Sequence, residues 1–434
     1  MKTDENIMPA SAESPVLITK SEIQDAIHMR GPVGRLVASA AMNVMGLNKA
    51  NLHYQHCAGG NTYDFAARAM KEVAVSYDVK PAQLDYIPRE GPFILLGNHH
   101  FGGLDGMMTF DLVGHIRPDY HTLSTFLLGK VPEIKPAMFA VNPFSSNGAG
   151  SRSNMTGIKN ALMHIRNGGC LGLFAAGAVA TYQPAKERTA WEKHIIEDCP
   201  WPMSIVKFIR TCHCPVVPVY FEGTCSKRFH RLGRIHPMLR TINLVNETIN
   251  KRGMTLPMRI GKPIPVSEMN KYETLEELYG FLRNCIYAMQ AEFEPERPAQ
   301  PQRREQCLPA LTNLPFPQAS LQRVIFGKGY PKAIQSLIVW FFTQHFSVPE
   351  DDTIQKLRAR FVPSYRNVRP DQLLSKTDTV EDFDHILKQI SDNAFCLPEP
   401  VKTIFDQGAK VVCFGVSDDV LEAWILLPEG KPIS

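Results

Sequence analysis

The run "LLGNHHFGGLDG", Leu95 to Gly106, gathers side chains of this chain suited to moving a proton. Apolar residues give way to Asn98-His99-His100, a glycine pair follows at Gly102-Gly103, and Asp105 stands just beyond. A histidine within reach of a hydroxyl or amine can take its proton. A nearby carboxylate then fixes the imidazole tautomer and stabilises the imidazolium that forms. Such a base suits attack on an acyl thioester, because the neutral nucleophile is weak at pH 7. The glycines let the backbone turn sharply and let a substrate approach closely. The same residues also fit metal ligation or an ordinary polar loop, so the elements around them must decide.

Those elements read as alternating strands and helices. "GPFILLGNHH" is a buried strand entering a polar loop, and "DGMMTFDLVGHI" is the helix that follows. "PAMFAVNPF", "CLGLFAAG", "CPVVPVYFEG" and "LPMRIGKPI" read as further short apolar segments or strands. "NMTGIKNALMHIRNGG" puts Met155, Ile158, Leu162 and Ile165 on one helical face and stops at Gly168-Gly169. Upstream, residues 16 to 80 are mostly helical, with Ser21 as the expected cap of "SEIQDAIHM". The pattern predicts an α/β fold, a mostly parallel sheet flanked by helices, whose chemistry sits in loops at the carboxyl ends of strands. The histidine loop and "FAAGA", Phe174 to Ala178, both occupy such positions.

Six prolines between Glu294 and Gln318 resist helix and central strand, which predicts a linker over 295–318. It divides a first domain, 16–294, from a smaller carboxyl-terminal α+β domain, 319–434. In the latter "TVEDFDHILKQISDN" reads as a helix, and "AKVVCFGV" and "EAWILLP" as strands.

At 434 residues, 44% hydrophobic and 21% charged, the composition is that of a globular protein. A net charge of +4 is too mild to imply nucleic acid. No run approaches the roughly 18 apolar residues of a spanning helix, and "IQSLIVWFF" is far too short. The amino end lacks the pattern of a secretory signal. The expectation is a cytoplasmic protein whose membrane contact, if any, is peripheral, on the inner face of the cytoplasmic membrane. The ten cysteines show no repeated framework, and Cys212 and Cys214 precede an apolar run in which cysteine acts as a small hydrophobe.

The loop "NHHFGGLDG" resembles the His-Asp motif of the glycerolipid (lysophospholipid-type) acyltransferase superfamily. It is most similar to the bacterial hemolysin-like acyltransferases linked to ornithine- and glycine-lipid synthesis. "LNKANLHY", "QLDYIPREGPFILLGNHHFGGLDG", "HIRNGGCLGLFAAGAV", "CPVVPVYFEGTCS" and "INKRGMTLPMRIGKPI" match successive blocks in order, over roughly residues 30 to 290. The resemblance implies transfer of a fatty acyl group from acyl-acyl-carrier protein or acyl-CoA to a hydroxyl of a lyso-lipid. No bound cofactor or metal is implied. His99 follows Asn98 as the active histidine does in the hemolysin-like form, whereas His100 keeps the superfamily's four-residue gap to Asp105. The base is assigned to His99, with His100 as the alternative.

One block departs from the pattern. Where the family carries Phe-Pro and an acidic residue, this chain has Phe174-Ala175-Ala176-Gly177-Ala178. Either the acceptor differs, or backbone amides around Gly177 do the binding. A non-catalytic lipid- or acyl-carrier-binding protein with a degenerate fold is the rival reading. Asn98, Gly102, Gly103 and Gly177 are the expected substrate contacts, with Arg152 offered to a phosphate or carboxylate head group. Lys227, Arg228 and Arg231 could face an anionic carrier or membrane, or simply water. His115 and His121 are too loosely spaced to favour a metal site, and Trp191 and Trp201 read as packing residues. The carboxyl end resembles the tail of a GNAT-like acyltransferase half, without a recognisable acyl-CoA loop, so a structural or partner-binding role is expected there.

Overall fold

The computed structural model describes residues 15–26, 28–141, 149–182, 196–235, 243–293, 307–361, 363–365 and 367–428. Its strands are β1 (Ser76–Asp78), β2 (Phe93–Gly97), β3 (His121–Thr125), β4 (Met138–Val141), β5 (Cys170–Leu173), β6 (Thr181–Tyr182), β7 (Ile196–Glu197), β8 (Val216–Phe221), β9 (Thr255–Ile260), β10 (Leu321–Lys328), β11 (Lys410–Ser417) and β12 (Val420–Leu426). The described residues fall into two compact units that interleave along the chain. One gathers residues up to Tyr77, Phe101–Ile158 and Thr224–Leu256, and the other gathers Asp78–His100, Lys159–Gly223 and residues from Pro257 onward.

In the second unit β2 lies between β5 and β8 and runs parallel to both, with Ile94 opposite Leu171 on one side and Val216 on the other. β9 joins β8 antiparallel, pairing Val219 with Ile260. Parallel strands covered on both faces need continuous apolar runs rather than alternation. Every residue of β2, β5 and β8 is accordingly buried. Each fully buried Phe, Ile or Leu here contributes about 1.5–3 kcal/mol of transfer free energy. Helix Leu275–Ala288 presents a long buried face from Leu278 onward, and Thr274 and Glu277 cap its start reciprocally. Its Tyr287 ring meets Tyr220 of β8 edge-on at 6.0 Å. The fold is therefore α/β, with a mostly parallel set of strands flanked by helices, as the sequence predicts.

The chain after the proline-rich stretch adds an antiparallel sheet in the order β10-β12-β11. β11 and β12 are the two strands expected from sequence, while β10 was not foreseen. Phe341 of helix Lys332–His345 stacks on Phe383 of helix Val380–Ile390 with centroids 4.1 Å apart and planes nearly parallel. Of the expected linker, 295–306 lie outside the described residues. Within the remainder, Leu308, Leu311, Leu314 and Phe316 pack with Val412, Cys413 and Trp424, and the Trp424 indole donates to the Pro309 carbonyl at 2.9 Å.

The first unit carries helices Lys20–Ala26, Gly31–Val44, Leu47–Cys57, Thr62–Glu72 and Gly103–Ile116, with β3 and β4 parallel. Two local expectations are corrected. The first helix is capped by Thr19, not Ser21: Thr19 Oγ1 accepts from the Glu22 N–H at 3.2 Å while Glu22 Oε2 accepts from the Thr19 N–H at 2.8 Å. This reciprocal box satisfies two end donors at once and leaves Ser21 inside the helix. Met155 is not on the inner face of helix Ala149–Arg166 but 68% exposed, whereas Ala161 and Ile165 are buried. Gly157 explains the rotation: a Cβ there would lie 2.1 Å from the Ala140 carbonyl oxygen, so only glycine allows the helix this close to β4.

Candidate active site

The histidines and Asp105 fall in different units, joined by the His100–Phe101 peptide bond, and each half has its own geometry. The histidine half begins where β2 stops. A Cβ on Gly97 would lie 3.2 Å from both Phe174 and Phe221, tight enough to move one of the rings. Asn98 follows, fully buried. Its amide donates to the Phe221 carbonyl at 3.0 Å and accepts from the Phe221 N–H at 2.8 Å. The side chain thus acts as one more rung between β2 and β8, leaving the next residue free to depart from the strand direction.

His99 is held through its backbone on both sides. Its N–H donates to Asp198 Oδ1 at 3.1 Å, and its carbonyl accepts from the Ala180 N–H at 2.7 Å. The half-buried imidazole stacks on Phe174 with centroids 4.5 Å apart and planes 27° apart. His100 is only 4% exposed, with its ring 5.9 Å from Tyr220 and 6.1 Å from Tyr287. The Tyr287 hydroxyl accepts the Asp198 N–H at 2.8 Å. Burial first, and the Asp198 carboxylate next, push that phenol well above its ordinary pKa, which keeps it protonated.

The "FAAGA" segment makes the neighbouring turn. The Gly177 N–H donates to the Phe174 carbonyl at 3.0 Å, and Gly177 sits at φ +64°, a conformation that favours glycine. Phe174 and Ala180 on either side of this turn are the residues that grip His99, so the block lines the histidine even without its acidic side chain. Ala175 is buried and Ala178 half-buried.

The aspartate half is a helix start. Gly102 adopts φ +70°, ψ −121°, which a side chain would not tolerate. That geometry turns the Phe101 and Gly102 N–H groups onto Asp105 Oδ2, at 2.9 and 3.0 Å. The Asp105 N–H in turn donates to the Gly102 carbonyl at 3.1 Å. Asp105 is fully buried in the first turn of helix Gly103–Ile116, where the helix dipole favours its negative charge. A Cβ at Gly103 would meet nothing within 4 Å, so the space above it is open.

Asp198, Ala180 and Tyr287 escaped the sequence reading. Nothing in the spacing of "EDCPW" marks Asp198, because its partner stands ninety-nine residues earlier. The side chain of Arg152 lies outside the described residues, as does Trp191. Trp201 is buried with its ring 5.4 Å from Tyr279, as a packing residue would be. Lys227, Arg228 and Arg231 are exposed on helix Lys227–Ile235. His115 bonds the Asp111 carbonyl and Asp64, and His121 stacks on Phe139 at 5.1 Å. Cys212 and Cys214 are buried, and burial pushes both thiols up to about 12.

The family model described as "Acyltransferase" matches residues 61–295, just over half of the chain, including β2, the histidine loop and helix Leu275–Ala288. The chain belongs to this acyltransferase family and is an acyltransferase enzyme. It is similar to the lyso-glycine lipid O-acyltransferase of Phocaeicola vulgatus, 23% identical over 264 residues that cover 59% of this chain and 88% of that protein. It is likewise similar to the lyso-glycine lipid O-acyltransferase of Bacteroides thetaiotaomicron, 23% identical over 234 residues covering 52% and 79%. Among solved structures, the 1-acyl-sn-glycerophosphate (LPA) acyltransferase PlsC of Thermotoga maritima superposes over 60% of this chain and 90% of its own. That match has 14% identity and a TM-score of 0.35, too loose to bear on function.

Proposed function

We propose that the enzyme moves a fatty acyl group from an acyl thioester to the hydroxyl of a lyso-lipid, with His99 as the base and Asp105 as its electrostatic partner. The observation that carries the choice of base is the contrast between the two histidines. His99 is half-buried, with one ring face on Phe174 and its backbone fixed from both sides, whereas His100 is closed in by Tyr220 and Tyr287. A base that meets a lipid hydroxyl needs the accessible position.

In the reaction His99 takes the hydroxyl proton as the oxygen bonds to the thioester carbon. Collapse of the tetrahedral intermediate breaks the C–S bond. The imidazolium returns its proton to the departing thiolate, so the products are an ester and a free thiol. Asp105 favours the imidazolium through its negative charge. The donor is acyl-acyl-carrier protein or acyl-CoA, and the lyso-glycine lipid in the names of the two relatives favours an amino-acid lyso-lipid acceptor over a lysoglycerophospholipid. Thiol release measured with each donor against both acceptor classes tests this reading. Acceptor-dependent release supports it, whereas lipid binding without any thiol release would establish a binder that has lost catalysis.

The acceptor also calls for a lipid surface. Among the described residues no helix is long and apolar enough to cross a membrane. Helix Gly31–Val44 buries Gly34, Ala38 and Met42, while Val33, Leu36 and Val44 are 64%, 73% and 71% exposed. An exposed apolar face of this kind is suited to peripheral contact with a lipid surface, and exposed Arg35 on the same helix adds positive charge toward anionic lipid. The protein should float with anionic vesicles and lose most of that binding on Leu36→Ser. Equal recovery of both proteins in the soluble fraction would remove this part of the reading.

A further inference from the structure

The matched family region ends at residue 295, yet the chain continues into a folded segment that makes specific contacts back onto the histidine half. Those contacts meet at buried Glu197, which is followed in the chain by equally buried Asp198, each 2% exposed. Arg283, 1% exposed, forms an ion pair with Glu197 and donates to the Asn367 carbonyl at 3.0 Å. The Asn367 amide donates to the Ile196 carbonyl at 3.3 Å, and the Arg369 guanidinium stands 3.7 Å from the other Glu197 oxygen. The Arg369 N–H donates to Asn284 Oδ1 at 2.6 Å, and the Asn284 amide reaches Gln372 at 3.2 Å. Residues 367–372 thus grip both β7 and helix Leu275–Ala288. One residue past Glu197, Asp198 accepts the His99 N–H and passes its own N–H to Tyr287 of the same helix.

We propose that the carboxyl-terminal segment is a brace for the catalytic base, and that Asp198 is the positioning residue through which it acts. The proposal rests on His99 being the base, but its physical core is a chain of contacts that can be measured without turnover. Buried Glu197 cannot move away from Arg283 without leaving a charge uncompensated. The short β7 strand is therefore locked, and with it the acceptor for the His99 N–H. An imidazole that must meet a hydroxyl and return its proton in one geometry is sensitive to displacements of about 1 Å, which can cost up to about 100-fold in rate. Asn367 and Arg369, outside the matched family region, add to that hold at Ile196 and Glu197, which gives the added segment a role without a second active site.

The test uses the full chain and two readouts. Asn367→Ala combined with Arg369→Ala removes the side-chain grip on β7 while leaving the family region intact. The expected result is a fall in kcat of about tenfold with the acceptor KM within about twofold of wild type. Backbone hydrogen exchange across Leu95–Phe101 should quicken in parallel. Asp198→Ala should give the same pattern more strongly, and Asp198→Asn, which keeps an acceptor oxygen for the His99 N–H, should restore most of both. If the double variant does not fold, Arg369→Met alone, at a side chain 41% exposed, carries the same comparison. Unchanged exchange at the histidine segment overturns the proposal, whether or not activity falls, since a loss without local loosening means only general destabilisation. Should the wild-type enzyme show no turnover with any acceptor, the reading of function fails while the exchange comparison still judges the brace.

Discussion

His99→Ala should lower acceptor-dependent turnover by about 10²–10⁴-fold, the usual contribution of a positioned acid–base group, with little change in thermal stability. The ring is half-buried, and what fixes this residue is its backbone, through Asp198 and Ala180, which alanine keeps. His100→Ala should show the opposite balance. Its ring is enclosed by Tyr220 and Tyr287 and 4% exposed, so truncation opens a cavity and should cost roughly 1–3 kcal/mol of stability. Its residual activity, measured below the lowered unfolding temperature, should stay within about tenfold of wild type, since its role is packing. Thiol-release kinetics alongside thermal melts separate the two. A larger loss of turnover in folded His100→Ala than in His99→Ala would transfer the role of base to His100.

The second large effect belongs to Asp105. Two functions overlap in this carboxylate: it accepts the Phe101 and Gly102 N–H groups, and it places a negative charge beside the histidines in sequence. Asp105→Asn separates them. The amide oxygen still accepts hydrogen bonds at the helix start, so the cap survives largely intact, while the charge that favours the imidazolium is gone. Activity should fall on the order of 10³-fold with a nearly unchanged melting temperature. Asp105→Ala should match that loss of activity and add about 0.5–2 kcal/mol of destabilisation from the lost cap. If Asp105→Asn retains near wild-type kcat, the residue is a cap alone, and the charge partner of His99 must be sought elsewhere. Asp198, already bonded to the His99 backbone, would then be first in line.

The loop that carries this chemistry was legible because its parts are local. A strand that needs five buried apolar positions shows them as a run, Phe93 to Gly97, and a helix that needs an acidic residue in its first turn shows Asp105 three residues after the Gly102 cap. The glycine at 102 could be read the same way, since a positive φ at that corner leaves few alternatives. The same locality explains the two misplaced details. Ser21 and Thr19 are equally good caps by residue type, and only the return bond from Glu22 selects Thr19. Met155 fits the helical period, but the close approach at Gly157 rotates the buried stripe away from it.

By itself, then, the sequence determined the α/β pattern, the histidine loop at the end of a parallel strand, the family, and the short list of residues able to move a proton. These rest on hydrophobic period and on side chains a few positions apart, which any window of the chain displays. Tertiary structure alone decided which histidine has an accessible ring, that Asn98 spends its amide on Phe221, and that Asp198 holds the His99 backbone. It also decided that Arg283 ties Glu197 to Asn367. The physical reason is common to all of these. A hydrogen bond or ring contact between residues separated by about a hundred positions leaves no periodic trace, because its partners are brought together by strand order and helix packing and not by spacing along the chain.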